Sequence, residues 1–307
     1  MNLVAVTGTT GYVGRFVVAE LQRHGVRVRA LARPQSERGG FAAPPEWVTG
    51  DLREPDTLAA FVQGADAVVH LAYAHAPGRY RGGEGEGQAA LADWLDANVN
   101  GSLRLLLAAQ AAAVGRVVFL SSRAVFSRTE PGRVLDETHP TSPDTHYGAY
   151  KVAVEGFLQS FAHVAGMKSC TVRATGVYGL TWPVERSKWW GLVSAVVHGA
   201  EITSCGGGTE VHGADVARVI WRYLASPARA TEVIHLSDGY VTHREVVRLA
   251  RAIGGRPGPL PPEPPAPPAN PLACRRLAEM GLTLGGAAAL EATVAALVCA
   301  AEQVPPP

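Results

Sequence analysis

The sequence predicts an α/β fold built on a parallel sheet with helices on both faces. Three observations predict it. Short apolar runs alternate with helical stretches along most of the chain. Several runs, Ala65 to Ala72 above all, are apolar at nearly every position, as in a strand covered on both sides. The first run passes into a glycine-rich turn and then a helix. The 307 residues allow one large α/β domain, or such a domain with a smaller lobe, and 47% apolar residues supply its core.

Leu3 to Val6 is the first strand. It enters Thr7-Gly8-Thr9-Thr10-Gly11-Tyr12-Val13-Gly14, and Arg15 to Leu21 continues as a helix that Gly25 ends. Glycines here let backbone approach a diphosphate, and the helix start offers free N–H groups and the positive end of its dipole. Val26 to Arg33 is the second strand. In a dinucleotide site an acid closing this strand takes the 2′-hydroxyl of NAD, whereas an arginine suits the 2′-phosphate of NADP. Ala32 and Arg33 stand here, with no acid before Glu37, so the expected cofactor is NADP(H), with NAD(H) as the alternative. A short strand at Trp47-Val48 precedes Gly50-Asp51-Leu52, where Asp51 is placed to accept from an adenine amino group. Ala76 to Gln88, rich in Gly, Arg and Glu, reads as a mobile loop near the cofactor.

Leu91 to Ala113 reads as one long helical stretch, stopped by Gly115. Val117 to Leu120 then delivers Ser121-Ser122 at a strand's C-terminal end, where open α/β sheets place their sites. Tyr147 and Lys151 follow, four residues apart on one helix face. A neighbouring ammonium favours a phenolate, which would give a proton donor usable near neutral pH. Ser169 to Arg173 is the next strand. Beyond it the alternation fades into a segment carrying Trp182, Trp189 and Trp190, read either as lobe packing or as an apolar wall over a substrate. Gly206 to Ala217 reads as a turn followed by a helix, with His212 as a structural hydrogen-bonding group. Glu232 to Leu236 is one more strand. Thr242-His243-Arg244-Glu245 resembles a capping box opening a helix to Ile253. Pro257 to Pro271 reads as an extended linker, and Arg275 to Met280 and Ala287 to Ala300 as terminal helices.

The net charge of +1, without a basic block, argues against nucleic acid or an anionic membrane as partner. No apolar run reaches membrane-spanning length, and the chain enters a strand at once, without a basic leader. Cys170, Cys205, Cys274 and Cys299 are widely spaced, which argues against structural zinc and a disulfide framework. A reduced cytoplasmic enzyme is expected, with no metal.

The glycine turn, Gly50-Asp51-Leu52, His70-Leu71-Ala72, Asn98-Val99-Asn100-Gly101-Ser102, Ser121-Ser122, Tyr147-x-x-x-Lys151, Tyr178-Gly179 and the His212 to Asp215 segment occur together, in order. This set resembles the extended short-chain dehydrogenase/reductase family, which includes nucleotide-sugar epimerases and dehydratases. The resemblance implies a doubly wound Rossmann sheet of about seven parallel strands, over residues 1–174 with a contribution from about 212–236. It implies a small C-terminal substrate-binding lobe from 175–211 and 237–307, with the Pro-rich linker at 257–271. It implies Tyr147 as acid/base, Lys151 tuning it and holding the nicotinamide ribose, and Ser122 binding the reacting oxygen. Gly8, Thr10, Gly11, Tyr12, Val13 and Gly14 would meet the pyrophosphate, Asp51 and Leu52 the adenine, and Leu71, Ala72 and Tyr73 the rest of the dinucleotide. A homodimer through the helices around residues 91–113 and 147–165 is implied as well.

Departures narrow the activity. Family dehydratases carry Asp-Glu after the active-site hydroxyl residue, where this chain has Arg123-Ala124. Many sugar-nucleotide members have Asn where this chain has Gly176, and an Arg before the His-x-x-Asp segment where it has Glu210-Val211. An acid facing a diphosphate would repel it. The expected activity is ketone/alcohol hydride transfer on a small organic substrate packed against the tryptophans. The alternatives are a nucleotide-sugar epimerase with tightly bound NAD and an inactive cofactor-binding protein.

Overall fold

The structure, a computed structural model, describes residues 1–75, 84–127, 129–226, 230–264 and 266–305. Most of the expected loop between Ala76 and Gln88 therefore lies outside the described residues. The first half runs β1 (Leu3–Thr7), α1 (Tyr12–Arg23), β2 (Arg27–Ala32), β3 (Glu46–Thr49), α2 (Pro55–Val62), β4 (Ala67–His70), α3 (Gln88–Leu95), α4 (Gly101–Ala111) and β5 (Arg116–Ser122). Next come α5 (His146–Ala165), β6 (Lys168–Ala174), β7 (Gly176–Tyr178), α6 (Trp190–Val197), β8 (Gly207–His212) and α7 (Gly213–Ala225). β9 (Glu232–Leu236), β10 (Gly239–Thr242), α8 (His243–Gly254), α9 (Arg275–Glu279) and α10 (Gly286–Ala301) complete the chain.

Seven strands pair in parallel in the order β3-β2-β1-β4-β5-β6-β9. Each strand feeds one side chain in two to each face, as the period of the pleat demands. Val4 and Val6 join the core under α1 and α7, and Leu3 and Ala5 the core under α2, α4 and α5. Both faces are thus dry, which is why the strands are apolar runs and not alternating ones. From β1 the chain builds the sheet outward through β2 to β3, then crosses back through α2 to add β4 on the other side of β1. Between β2 and β4 the sheet opens a crevice at its C-terminal edge.

A three-stranded sheet, β10-β8-β7, stands beside it, with β8 antiparallel to β10 and parallel to β7. α6, α8 and α10 close around a separate apolar core that includes Val193, Val246, Val294 and Leu297. The expected turn at the start of Gly206 to Ala217 is instead the strand β8. Its glycines are accommodated because side chains from elsewhere occupy the space above them, such as Tyr240 over Gly207. The expected long helix starts at Gln88 and contains a π-helical turn over Asp96–Asn100. The capping box is made in one direction. Thr242 accepts from the Glu245 N–H at 3.0 Å, while the Glu245 carboxylate turns to Arg248. No helix among the described residues is long and apolar enough to cross a membrane.

Candidate active site

The crevice over β1 and β4 opens into a cleft of about 1170 Å³. The glycine turn forms one wall. Gly8 has φ +72°, and a Cβ there would strike the backbone of Leu71 and Ala72. A Cβ on Gly14 would strike Gly8 and Thr9. These two glycines therefore serve close packing of turn, helix and neighbouring strand. α1 begins at Gly11 with no side-chain cap, so its first amides are left for a ligand. Gly8, Thr10, Gly11, Tyr12, Val13 and Gly14 all line the cleft. So do Arg33 at the end of β2, with Ser36 beyond it, and Asp51 and Leu52 after β3. A dinucleotide fits this set of donors and this shape.

Packed against the glycine turn, the turn after β4, Leu71, Ala72 and Tyr73, also lines the cleft. A buried polar relay holds it. The Thr7 hydroxyl accepts the N–H groups of Leu71 and Ala72, both at 3.2 Å, so its own proton goes to His70 Nδ1 at 2.8 Å. His70 Nε2 then donates to Ser102 Oγ at 2.8 Å, and Ser102 donates to the Asn98 carbonyl. Asn98, in the π-helical turn, clamps Ala74 through both its N–H and its carbonyl. The Asn98 to Ser102 motif is thus a brace for the cleft wall. Gly101 lets its helix meet Leu52, which a Cβ would displace.

His70 is buried neutral, its pKa pushed down to about 3 by burial and by the nearby Lys151 charge. His235 is held at about 4 by burial and by Arg173. Both folded values lie below the ordinary 6.5, so the unfolded chain takes up these protons first. Their stabilisation is complete above pH 6.5 and is lost as pH falls toward 4, at up to about 1.4 kcal/mol per pH unit for each histidine. Urea midpoints are expected to fall steadily from about pH 6.5 to 5, with a shallower fall in a His70→Gln variant. A midpoint flat over that range contradicts the assignment.

Tyr147, Lys151 and Ser122 all line the cleft. Thr145 caps α5 by accepting from the Gly148 N–H at 3.1 Å, which sets Tyr147 in the first turn. Gly148 is obligatory there, because a Cβ would hit the Ala124 carbonyl just past Ser122. Lys151 Nζ donates to the Leu120 carbonyl at 2.8 Å and lies 5.5 Å from the Tyr147 ring centre. The Tyr147 ring also packs against Tyr73 at 4.9 Å. Ser122 Oγ accepts from the Ala124 N–H at 3.2 Å, leaving its proton to donate. Burial lowers the Lys151 pKa to about 7, with Glu155 pulling the other way.

The tryptophan segment falls elsewhere. Trp189 packs into the lobe core on Tyr178 at 5.1 Å, and Trp190 joins the same core. Trp182 covers Gly39 and Gly40 and takes Arg15 over its ring at 5.3 Å. None of the three lines the cleft, which corrects the expectation of an aromatic substrate wall. His212 caps α7 by accepting from the Ala214 N–H. The sequence reading missed Lys188 and Arg186, which do line the cleft. Nothing local marks them, since their partners Glu37 and Glu210 are distant in sequence.

A family model described as the NAD dependent epimerase/dehydratase family matches residues 4–236. The chain belongs to this family. A UDP-glucose 4-epimerase of Streptomyces lividans is 28% identical over 83% of this chain and 82% of its own length. A 4-hydroxy-2-methyl-3-oxo-4-farnesyl-3,4-dihydroquinoline-1-oxide ketoreductase of Stigmatella aurantiaca is 30% identical over 57% of this chain, which spans about half of that relative. Among solved structures, the Thermus thermophilus UDP-glucose 4-epimerase in complex with NAD aligns over 97% of this chain and 99% of its own, with TM-score 0.74 and 22% identity. Membership of the epimerase/dehydratase family makes the chain an NAD(P)-dependent enzyme of the oxidoreductase or epimerase kind.

Proposed function

We propose that the protein is an NADP(H)-dependent ketoreductase acting on a small organic ketone or alcohol. The observation that carries this reading is that Ser122, Tyr147 and Lys151 line one cleft together with Arg33, which closes β2 where an acid would suit NAD. The cofactor supplies the hydride that makes the carbonyl carbon a carbinol carbon. Tyr147 gives its proton to the oxygen that gains charge in that step, and Ser122 donates a hydrogen bond to the same oxygen. Lys151, held by the Leu120 carbonyl, keeps two further N–H groups that would serve the nicotinamide ribose. An anionic dinucleotide would raise its pKa from about 7 and keep it charged beside the phenol.

In this reading residues 1–174 with 212–236 form the cofactor half, and 175–211 with 237–307 the substrate lobe. Consumption of NADPH with a panel of ketones, followed at the nicotinamide absorbance, tests the activity. The second reading, a nucleotide-sugar epimerase, is favoured by the Streptomyces relative. Purified protein that carries bound NAD and interconverts UDP-glucose without consuming NADPH would establish it instead.

Arg33 carries the cofactor preference. Arg33→Ala is expected to weaken NADPH binding about tenfold or more, the worth of one charge-assisted hydrogen bond, and to leave NADH nearly unchanged. Equal loss for both cofactors would remove Arg33 from the 2′-phosphate. A homodimer through α4 and α5 fits the apolar side chains these helices expose, Leu107, Phe157 and Val164. Light scattering is expected to give about twice the 32.2 kDa chain mass, and a value of one chain contradicts the dimer.

A further inference from the structure

Glu210 turns its side chain from β8 into the space between two glycines. A Cβ on Gly176 or on Gly208 would strike its carboxylate oxygens. The residue is 4% exposed, yet it forms part of the cleft wall. Both its oxygens accept from Lys188 Nζ, at 2.5 and 2.6 Å. Lys188 faces the same cleft, anchored by its own N–H donating to Tyr12 Oη at 2.8 Å. The other cations of this region are also engaged: Arg186 with Glu37 at 3.1 Å, and Arg123 with the Asn270 carbonyl at 2.8 Å.

We propose that the Lys188–Glu210 pair selects the substrate, admitting an uncharged oxygen-bearing group and rejecting a nucleoside diphosphate. The inference rests on the reductase reading and names the substrate class it takes. An ammonium has three N–H donors. Two go to Glu210, and one is left for a hydroxyl or carbonyl oxygen. A diphosphate placed here would meet a lysine whose charge is cancelled and a carboxylate of its own sign. The pair thus modifies the expectation from sequence: the acid does not stand bare in the cleft but neutralises Lys188, a lysine that could otherwise hold an anion. Gly176 and Gly208 make this possible, since neither leaves room for both a side chain and the carboxylate.

Calorimetric titration of UDP onto the protein saturated with NADPH tests the proposal, the cofactor keeping UDP out of the dinucleotide wall. Wild type is expected to bind UDP weakly. Glu210→Gln and Glu210→Ala are expected to bind it about tenfold more tightly or better, the worth of one freed charge-assisted contact. Lys188→Met in the Glu210→Gln background is expected to abolish the gain. Undiminished NADPH binding shows that each variant is folded. UDP bound by wild type as tightly as by the variants, or no gain in either variant, overturns the proposal. A gain in UDP affinity in a protein that turns over no ketone would keep the selection and sink the reductase reading, so the two fail separately.

Discussion

Tyr147→Phe is expected to lower kcat by about 10²-fold or more while leaving the affinity for NADPH unchanged, since general acid catalysis is worth about that much. The argument is geometric. The substitution deletes one oxygen and keeps the ring that packs on Tyr73 at 4.9 Å and lies 5.5 Å from Lys151 Nζ. The helix cap at Thr145 and the close approach of Gly148 to Ala124 are untouched. What is lost is the proton given to the reacting oxygen, an interaction made in the transition state, so kcat and kcat/KM fall together. Turnover like that of the wild type would take Tyr147 out of the mechanism. A loss of NADPH binding to match the loss of rate would make it a cofactor ligand and no more.

Arg173→Leu is expected to give the largest loss of stability. Arg173 and Glu155 pair through several short contacts, 2.7 Å the shortest, with both side chains almost wholly buried. Ser121 donates to the same carboxylate, His235 sits on the far side of the guanidinium, and Phe126 stacks on it at 4.9 Å. Removing the cation strands a carboxylate in the interior, which costs about 3–5 kcal/mol. At roughly 2–4 °C per kcal/mol for a chain of this size class, the melting temperature should fall by roughly 6–20 °C. Glu155→Leu combined with Arg173→Leu should recover much of that loss, because no charge is then left unpaired. A single variant that melts with the wild type contradicts this. The effect reaches the site as well. Glu155 stands one turn beyond Lys151 on α5 and tugs on Ser121, the neighbour of Ser122.

The features legible in the sequence are those fixed by local chemistry. Apolar strands, the glycine turn at Gly8 to Gly14, and the Tyr147–Lys151 spacing on one helix face need only neighbouring residues to be recognised. The smaller sheet was not legible, because β8 opens with two glycines, Gly207 and Gly208, just after Gly206, and reads as a turn. It becomes a strand only when β7 and β10 arrive from either side, and the side chains of Glu210 and Tyr240 fill the gaps its neighbours leave. The same holds for Lys188 and Glu210. They are 22 residues apart, and nothing local marks them as a pair. The tryptophans misled for a related reason: three large rings close in sequence suggest one wall, but Trp189 and Trp190 enter the lobe core while Trp182 leans on Arg15.

A crystal structure with NADPH bound tests the central claim most directly, that one phenol, one hydroxyl and one buried amine serve a single nicotinamide ring. The predicted result has the ring beside Tyr147, and Tyr147 Oη and Ser122 Oγ both within hydrogen-bond reach, about 3 Å, of one point beside its reactive carbon. Lys151 Nζ is predicted on the ribose and Arg33 beside the 2′-phosphate. A nicotinamide seated away from Tyr147 and Ser122, with the cleft closed around it, would contradict the account.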